Sequence, residues 1–152
     1  RMTQGTRHAM GVGLAEEALR RVVPPGHIVR VQLPLAAGNL SEPEPDVAVV
    51  SGQWRDFRDH HPDKALLVVE VSDESLKVDQ TTKAGIYALT GVADYWIVNL
   101  VENLLEVYRD PVSLGEQPFK FHYRSVQRLT RTDVLTPLAL PGTLVKVADL
   151  LP

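Results

Sequence analysis

The chain has 152 residues, 44% hydrophobic and 23% charged, which suits one globular domain with a real core. Sixteen Lys and Arg against nineteen Asp and Glu give a net charge of −3, which argues against a protein that coats nucleic acid but not against a nuclease, whose metal site needs carboxylates. Cysteine is absent, excluding disulfides, thiolate zinc sites and thiol nucleophiles, and no apolar run approaches the roughly 20 residues that span a bilayer.

No signal-peptide core opens the sequence, so a cytoplasmic protein is expected. Arg1 precedes Met2, which leaves open a longer chain whose start lies outside this sequence.

From His8 to Val22 the apolar positions Met10, Leu14, Ala18, Leu19 and Val22 recur at helical spacing, and Pro24-Pro25-Gly26 stops the pattern. An amphipathic helix with solvated Glu16 and Glu17 is predicted. His8, at its start, is read first as a capping or surface residue, with contact to the site or to a phosphate as the alternative. His27 to Leu35 has a strand-like pattern and leads into the breaker-rich loop Gly38-Asn39-Leu40-Ser41-Glu42-Pro43-Glu44-Pro45. Val47 to Val50 and Ala65 to Val71 are continuous apolar runs, the mark of strands buried on both faces.

Ser51 to Lys64, with Trp54, Phe57, His60 and His61, reads as an exposed loop or loop anchor. Adjacent histidines in extended chain point opposite ways and rarely share one ion. Asp79 to Leu89 is a predicted helix, with Asp79 as N-cap or first-turn acid and Gly91 past its end. Tyr95 to Leu100 and Leu104 to Tyr108 form a hairpin around Val101-Glu102-Asn103. A strand from Phe119 to Leu129, a turn from Leu138 to Gly142 and an apolar piece from Leu144 to Leu151 complete the order. A single α/β domain over 1–152 with a central mixed sheet flanked by helices is expected. No Gly-rich loop follows a strand, which argues against P-loop and dinucleotide folds.

Asp46 and Glu70 end otherwise apolar strands, where water, a cation or a basic side chain must compensate them. On adjacent strands, the two carboxylates and the Val71 carbonyl would form an oxygen site for Mg²⁺ or Mn²⁺. Asp79, Lys83 and Tyr87 share one helix face, so an ammonium and a phenol accompany the carboxylates. Each signal has a plainer meaning: a turn aspartate after Pro45, a surface ion pair between Asp79 and Lys83, and a packed Tyr87.

Ser41-Glu42-Pro43-Glu44-Pro45-Asp46 with its apolar run, Leu67-Val68-Val69-Glu70-Val71-Ser72, Asp79 with Lys83 and Tyr87, and Gly91-Val92 before Tyr95-Trp96-Ile97-Val98 together resemble the Uma2 family. That family, also called DUF820, is grouped with restriction endonucleases in the PD-(D/E)XK nuclease superfamily. The resemblance runs from about Thr6-Arg7-His8 to the closing Leu-Pro-Gly segment. It implies a restriction-endonuclease-like core, DNA cleavage that depends on Mg²⁺ or Mn²⁺, and catalytic roles for Asp46, Glu70 and Lys83, with Asp46, Glu70 and Val71 holding the metal. Ser72 stands where the superfamily usually has its lysine, and Lys83 from the following helix takes that place. A family segment preceding Arg1-Met2, with an acidic stretch, is expected to be missing.

A metal-dependent endonuclease therefore competes with a degenerate nuclease fold that binds nucleic acid or protein, and with an interaction domain in which Asp46, Glu70 and Lys83 merely pair. DNA is the expected partner, across a rim formed by Arg7, Arg55, Lys64 or Lys77. A homodimer would supply the second site that a duplex needs.

Overall fold

The computed structural model describes residues 5–38, 42–115 and 120–152. Helix α1 (Thr6–Val22) is followed by strands β1 (His27–Val31) and β2 (Val47–Ser51), a 3₁₀ turn (Trp54–Phe57) and strand β3 (Leu67–Ser72). A helical segment then runs without a break through α2 (Leu76–Val78), a π turn (Asp79–Lys83) and α3 (Ala84–Leu89). Strands β4 (Asp94–Asn99), β5 (Leu104–Ser113) and β6 (Phe121–Leu129) come next, then the short pair β7 (Val134–Leu135) and β8 (Val145–Lys146) and a 3₁₀ turn (Val147–Leu150).

The six long strands form one sheet in chain order, antiparallel throughout except for β3 and β4, which run parallel around the α2–α3 crossover. Side chains alternate between the two faces of a strand. Val47, Val49, Val69, Val71, Trp96 and Val98 accordingly pack on one face with Val12, Ala15 and Leu19 of α1 and with the C-terminal Val145, Val147 and Leu150. Ala48, Val50, Val68, Tyr95 and Ile97 pack on the other with Ala84, Tyr87 and Ala88 of α3. Helices on both faces explain why β2 and β3 read as unbroken apolar runs. The architecture is the mixed α/β sandwich expected.

Several boundaries differ from expectation. The first strand stops at Val31, because Gln32 takes a left-handed backbone (φ 53) that ends the pairing. The helix predicted from Asp79 begins at Leu76, so Asp79 is not its N-cap but the acid that opens the π turn. The segment after β2 holds the 3₁₀ turn instead of pure loop, and buried Arg30 anchors it from below, its guanidinium 5.7 Å from the Trp54 ring centre and 5.8 Å from that of Phe57. Loop residues Asn39, Leu40 and Ser41, and Phe119 at the head of the predicted last strand, lie outside the described residues.

Candidate active site

The site begins where β2 and β3 meet. Val47 pairs with Val69, and Asp46 and Glu70 are the next residues along the two chains. The Asp46 backbone N–H donates to Glu70 Oε1 (3.0 Å), and the Val71 N–H donates to Asp46 Oδ2 (2.8 Å). In an antiparallel pair a residue's N–H and C=O point to the same side, so the Val71 carbonyl faces Asp46 too.

The helical segment closes the other side. Lys83 Nζ lies 3.3 Å from Glu70 Oε2 and 3.2 Å from Asp79 Oδ1, and the Tyr87 hydroxyl donates to Glu70 Oε2 (2.7 Å). Asp79 Oδ2 accepts from Ser75 Oγ (3.0 Å) and from Ser72 Oγ. Ser72 therefore helps to hold the acid that anchors Lys83. All three predicted residues, Asp46, Glu70 and Lys83, converge, and Tyr87 combines packing with a direct bond to Glu70.

Exposure grades across the group. Glu70 and Asp79 are each 1% exposed, whereas the side chains of Asp46, His8 and Lys83 keep 14%, 22% and 35% of their surface open. Glu70 is thus an interior residue of β3 and not the strand end expected, and among the compensations expected it has the basic side chain, Lys83. Burial, and next the neighbouring Asp46, push its carboxyl up to about 8, against the pull of Lys83. Burial works to lower the Lys83 ammonium, but Glu70 and Asp79 outweigh it and hold it above its ordinary value. Lys83 is therefore a cation here. Burial and the Glu70 charge also raise the Tyr87 phenol, which stays a donor.

Two further residues join the group. His8, expected first at a cap or the surface and otherwise at the site, places Nε2 3.3 Å from Asp46 Oδ2. Its Nδ1 is buried without a hydrogen-bond partner. Gln32 donates its N–H to the carbonyls of Pro45 and Asp46 (both 3.1 Å), so the left-handed kink that ends β1 grips the segment carrying Asp46. No spacing rule links residues 8, 32 and 46; only the fold does.

Of the expected basic rim, Arg7 bonds the Leu100 carbonyl (3.3 Å) and Lys77 lies exposed on α2, both toward the Asp46 end of the sheet. Arg55 follows β2 and Lys64 precedes β3, which puts them at the opposite end. His60 and His61 are exposed, as expected.

Among the described residues no group of three or more His, Asp or Glu side chains is placed to hold a metal ion. The donor set nevertheless fits Mg²⁺ or Mn²⁺. Such ions bind through one or two carboxylates, complete their shell with water and substrate phosphate, and do not need a dedicated protein cage. Asp46 and Glu70 supply two carboxylates side by side.

The Uma2 family model, described as "Putative restriction endonuclease", matches residues 4–148. A crystal structure titled as a "putative nuclease belonging to DUF820" from Anabaena variabilis ATCC 29413 superposes with a TM-score of 0.67 at 17% identity, covering 99% of this chain and 82% of that one. No curated protein matches. At that identity the structural likeness establishes a shared fold, and the family match spans nearly the whole chain. The chain belongs to the Uma2 family.

Proposed function

We propose that this protein is a divalent-metal-dependent endonuclease that hydrolyses DNA phosphodiester bonds, with Asp46, Glu70 and Lys83 as its catalytic residues. The observation that carries this is the meeting of Asp46 and Glu70, from adjacent strands, with a protonated Lys83 within 3.3 Å of Glu70. Asp46, Glu70 and the Val71 carbonyl would hold Mg²⁺ or Mn²⁺. The chemistry supplied by an ion bound there is polarisation of the scissile phosphate and activation of water as the nucleophile.

The rest falls to side chains of this chain. Lys83, charged and partly exposed, offers an ammonium to the negative charge that grows on the phosphate as the bond breaks. Asp79, locked by Ser72 and Ser75, keeps that ammonium turned toward Glu70. Tyr87 donates to Glu70 and favours its ionised, ligand-competent form. His8 and the Val71 N–H orient Asp46. One site per chain cuts one strand, so a double-strand break calls for two copies acting together.

One observation favours a purely structural ion-pair network instead: Glu70 and Asp79 already share Lys83 in a nearly closed pocket. Cleavage of supercoiled DNA separates the two readings. The parent is expected to nick it in Mg²⁺ or Mn²⁺ and not in chelator. Lys83→Met is expected to bind the metal but to cut at least about 100-fold more slowly, the usual scale for losing one transition-state charge contact. A parent without metal-dependent cutting leaves the structural network as the better reading.

A further inference from the structure

The π turn makes a second set of buried contacts on the far side of the pocket. In an α-helix Asp79 and Gln80 would point about 100° apart. The wider i→i+5 turn lets Asp79, Gln80 and Lys83 all reach the sheet. Gln80 Nε2 donates to both oxygens of Glu106 (2.9 and 3.2 Å). Glu106 lies on β5 in line with Glu70, because Glu70 pairs with Ile97 and Ile97 with Glu106.

Glu106 is 1% exposed and also accepts from Asn99 Nδ2 (2.8 Å) and the Tyr108 hydroxyl (2.6 Å), with an Arg128 nitrogen 3.6 Å away. The backbone of the same turn is held by Tyr95, whose hydroxyl donates to the Asp79 carbonyl (2.8 Å), and by His122, whose Nε2 lies 3.2 Å from the Gln80 carbonyl. A well-packed apolar pair would serve stability as well as a buried carboxylate and amide. What an apolar pair lacks is direction. A fork of two hydrogen bonds specifies the rotation of the turn, and Lys83 sits at its far end.

We propose that Glu106 and Gln80 are a positioning pair that sets the π turn and thereby holds Lys83 between Glu70 and Asp79. Neither touches the reacting atoms. The kinetic part rests on the nuclease reading; the placement of Lys83 does not.

The test uses Gln80→Met, which keeps length and apolar bulk but loses the donor, Glu106→Gln, and the exchange Gln80→Glu with Glu106→Gln. Crystal structures and cleavage rates are measured for each, alongside Mn²⁺ affinity. Gln80→Met and Glu106→Gln are expected to release Lys83 Nζ from Glu70 and to slow cleavage about 10- to 100-fold, with Mn²⁺ affinity changed less than about 3-fold. The exchange restores an amide–carboxylate bond, and is expected to return Lys83 to its place and the rate to within about 10-fold of the parent. Should a single variant fail to fold, the exchanged pair still decides. Lys83 Nζ staying against Glu70 in Gln80→Met, or an exchange that folds without recovering it, overturns the proposal. A parent that cuts no DNA removes the nuclease reading instead, and the crystal structures alone then judge the positioning pair.

Discussion

Glu70 occupies a place that is costly for a charge, and the cost makes it sensitive to pH. Its folded-state pKa, about 8, lies above the ordinary 4.5, so between those values the folded chain holds a proton that the unfolded chain releases. The stability this contributes is present below about 4.5 and is lost as pH rises toward 8. For the metal-free protein the loss is expected to reach up to about 5 kcal/mol, read as a falling Tm, and Glu70→Gln should flatten it. A metal-free Tm that rises over this window would contradict the burial argument. His8 acts one step further out, on Asp46. His8→Ala is expected to weaken Mn²⁺ binding about 10- to 100-fold with little change in fold, the usual effect of removing a partner that orients a metal ligand. An unchanged affinity would mean that the Nε2–Oδ2 contact orients nothing.

Among the elements, the unit that builds the site is β3 with the helix behind it and α1 across its end. Gly11 of α1 makes the close approach possible: a Cβ there would stand 2.7 Å from Val71 Cγ1. Gly11→Ala gains about 1 kcal/mol of helix propensity but is expected to lose about 1–3 kcal/mol to overpacking, and to shift Val71 beside the site. Thermal unfolding should show a net drop of a few degrees, with cleavage falling further than the Tm alone explains; a higher Tm would show that α1 moves aside freely. Much of this unit was legible in the sequence. Pro45-Asp46 and Glu70 flank apolar runs, and Lys83 and Tyr87 follow at i,i+4, all local patterns set by strand and helix periods. The contacts of Gln80 with Glu106, and of His8 with Asp46, join residues 26 and 38 positions apart and leave no local pattern. The π turn was equally invisible, since one widened turn changes which side chains face inward without changing the composition. Gln32, an ordinary residue in an extended-looking stretch, hid the end of β1 in the same way.

At the scale of the molecule, helices cover both faces of the sheet around the site, where the Lys83 side chain is 35% exposed and that of Asp46 14%. Among the described residues no helix is long and apolar enough to cross a membrane. The acidic balance of the whole chain disfavours a polyanion, so on the proposed function DNA affinity is expected to depend on neutralising the site's carboxylates. Every proposed step rests on one claim: Asp46, Glu70 and the Val71 carbonyl hold a divalent cation. Its most direct test is isothermal titration of Mn²⁺ and Mg²⁺ into the parent protein, Asp46→Ala and Glu70→Ala, with thermal unfolding confirming that each variant is folded. One saturable site in the parent, abolished in both variants, is the expected result. A folded parent that takes up neither ion, or variants that bind as the parent does, would contradict it.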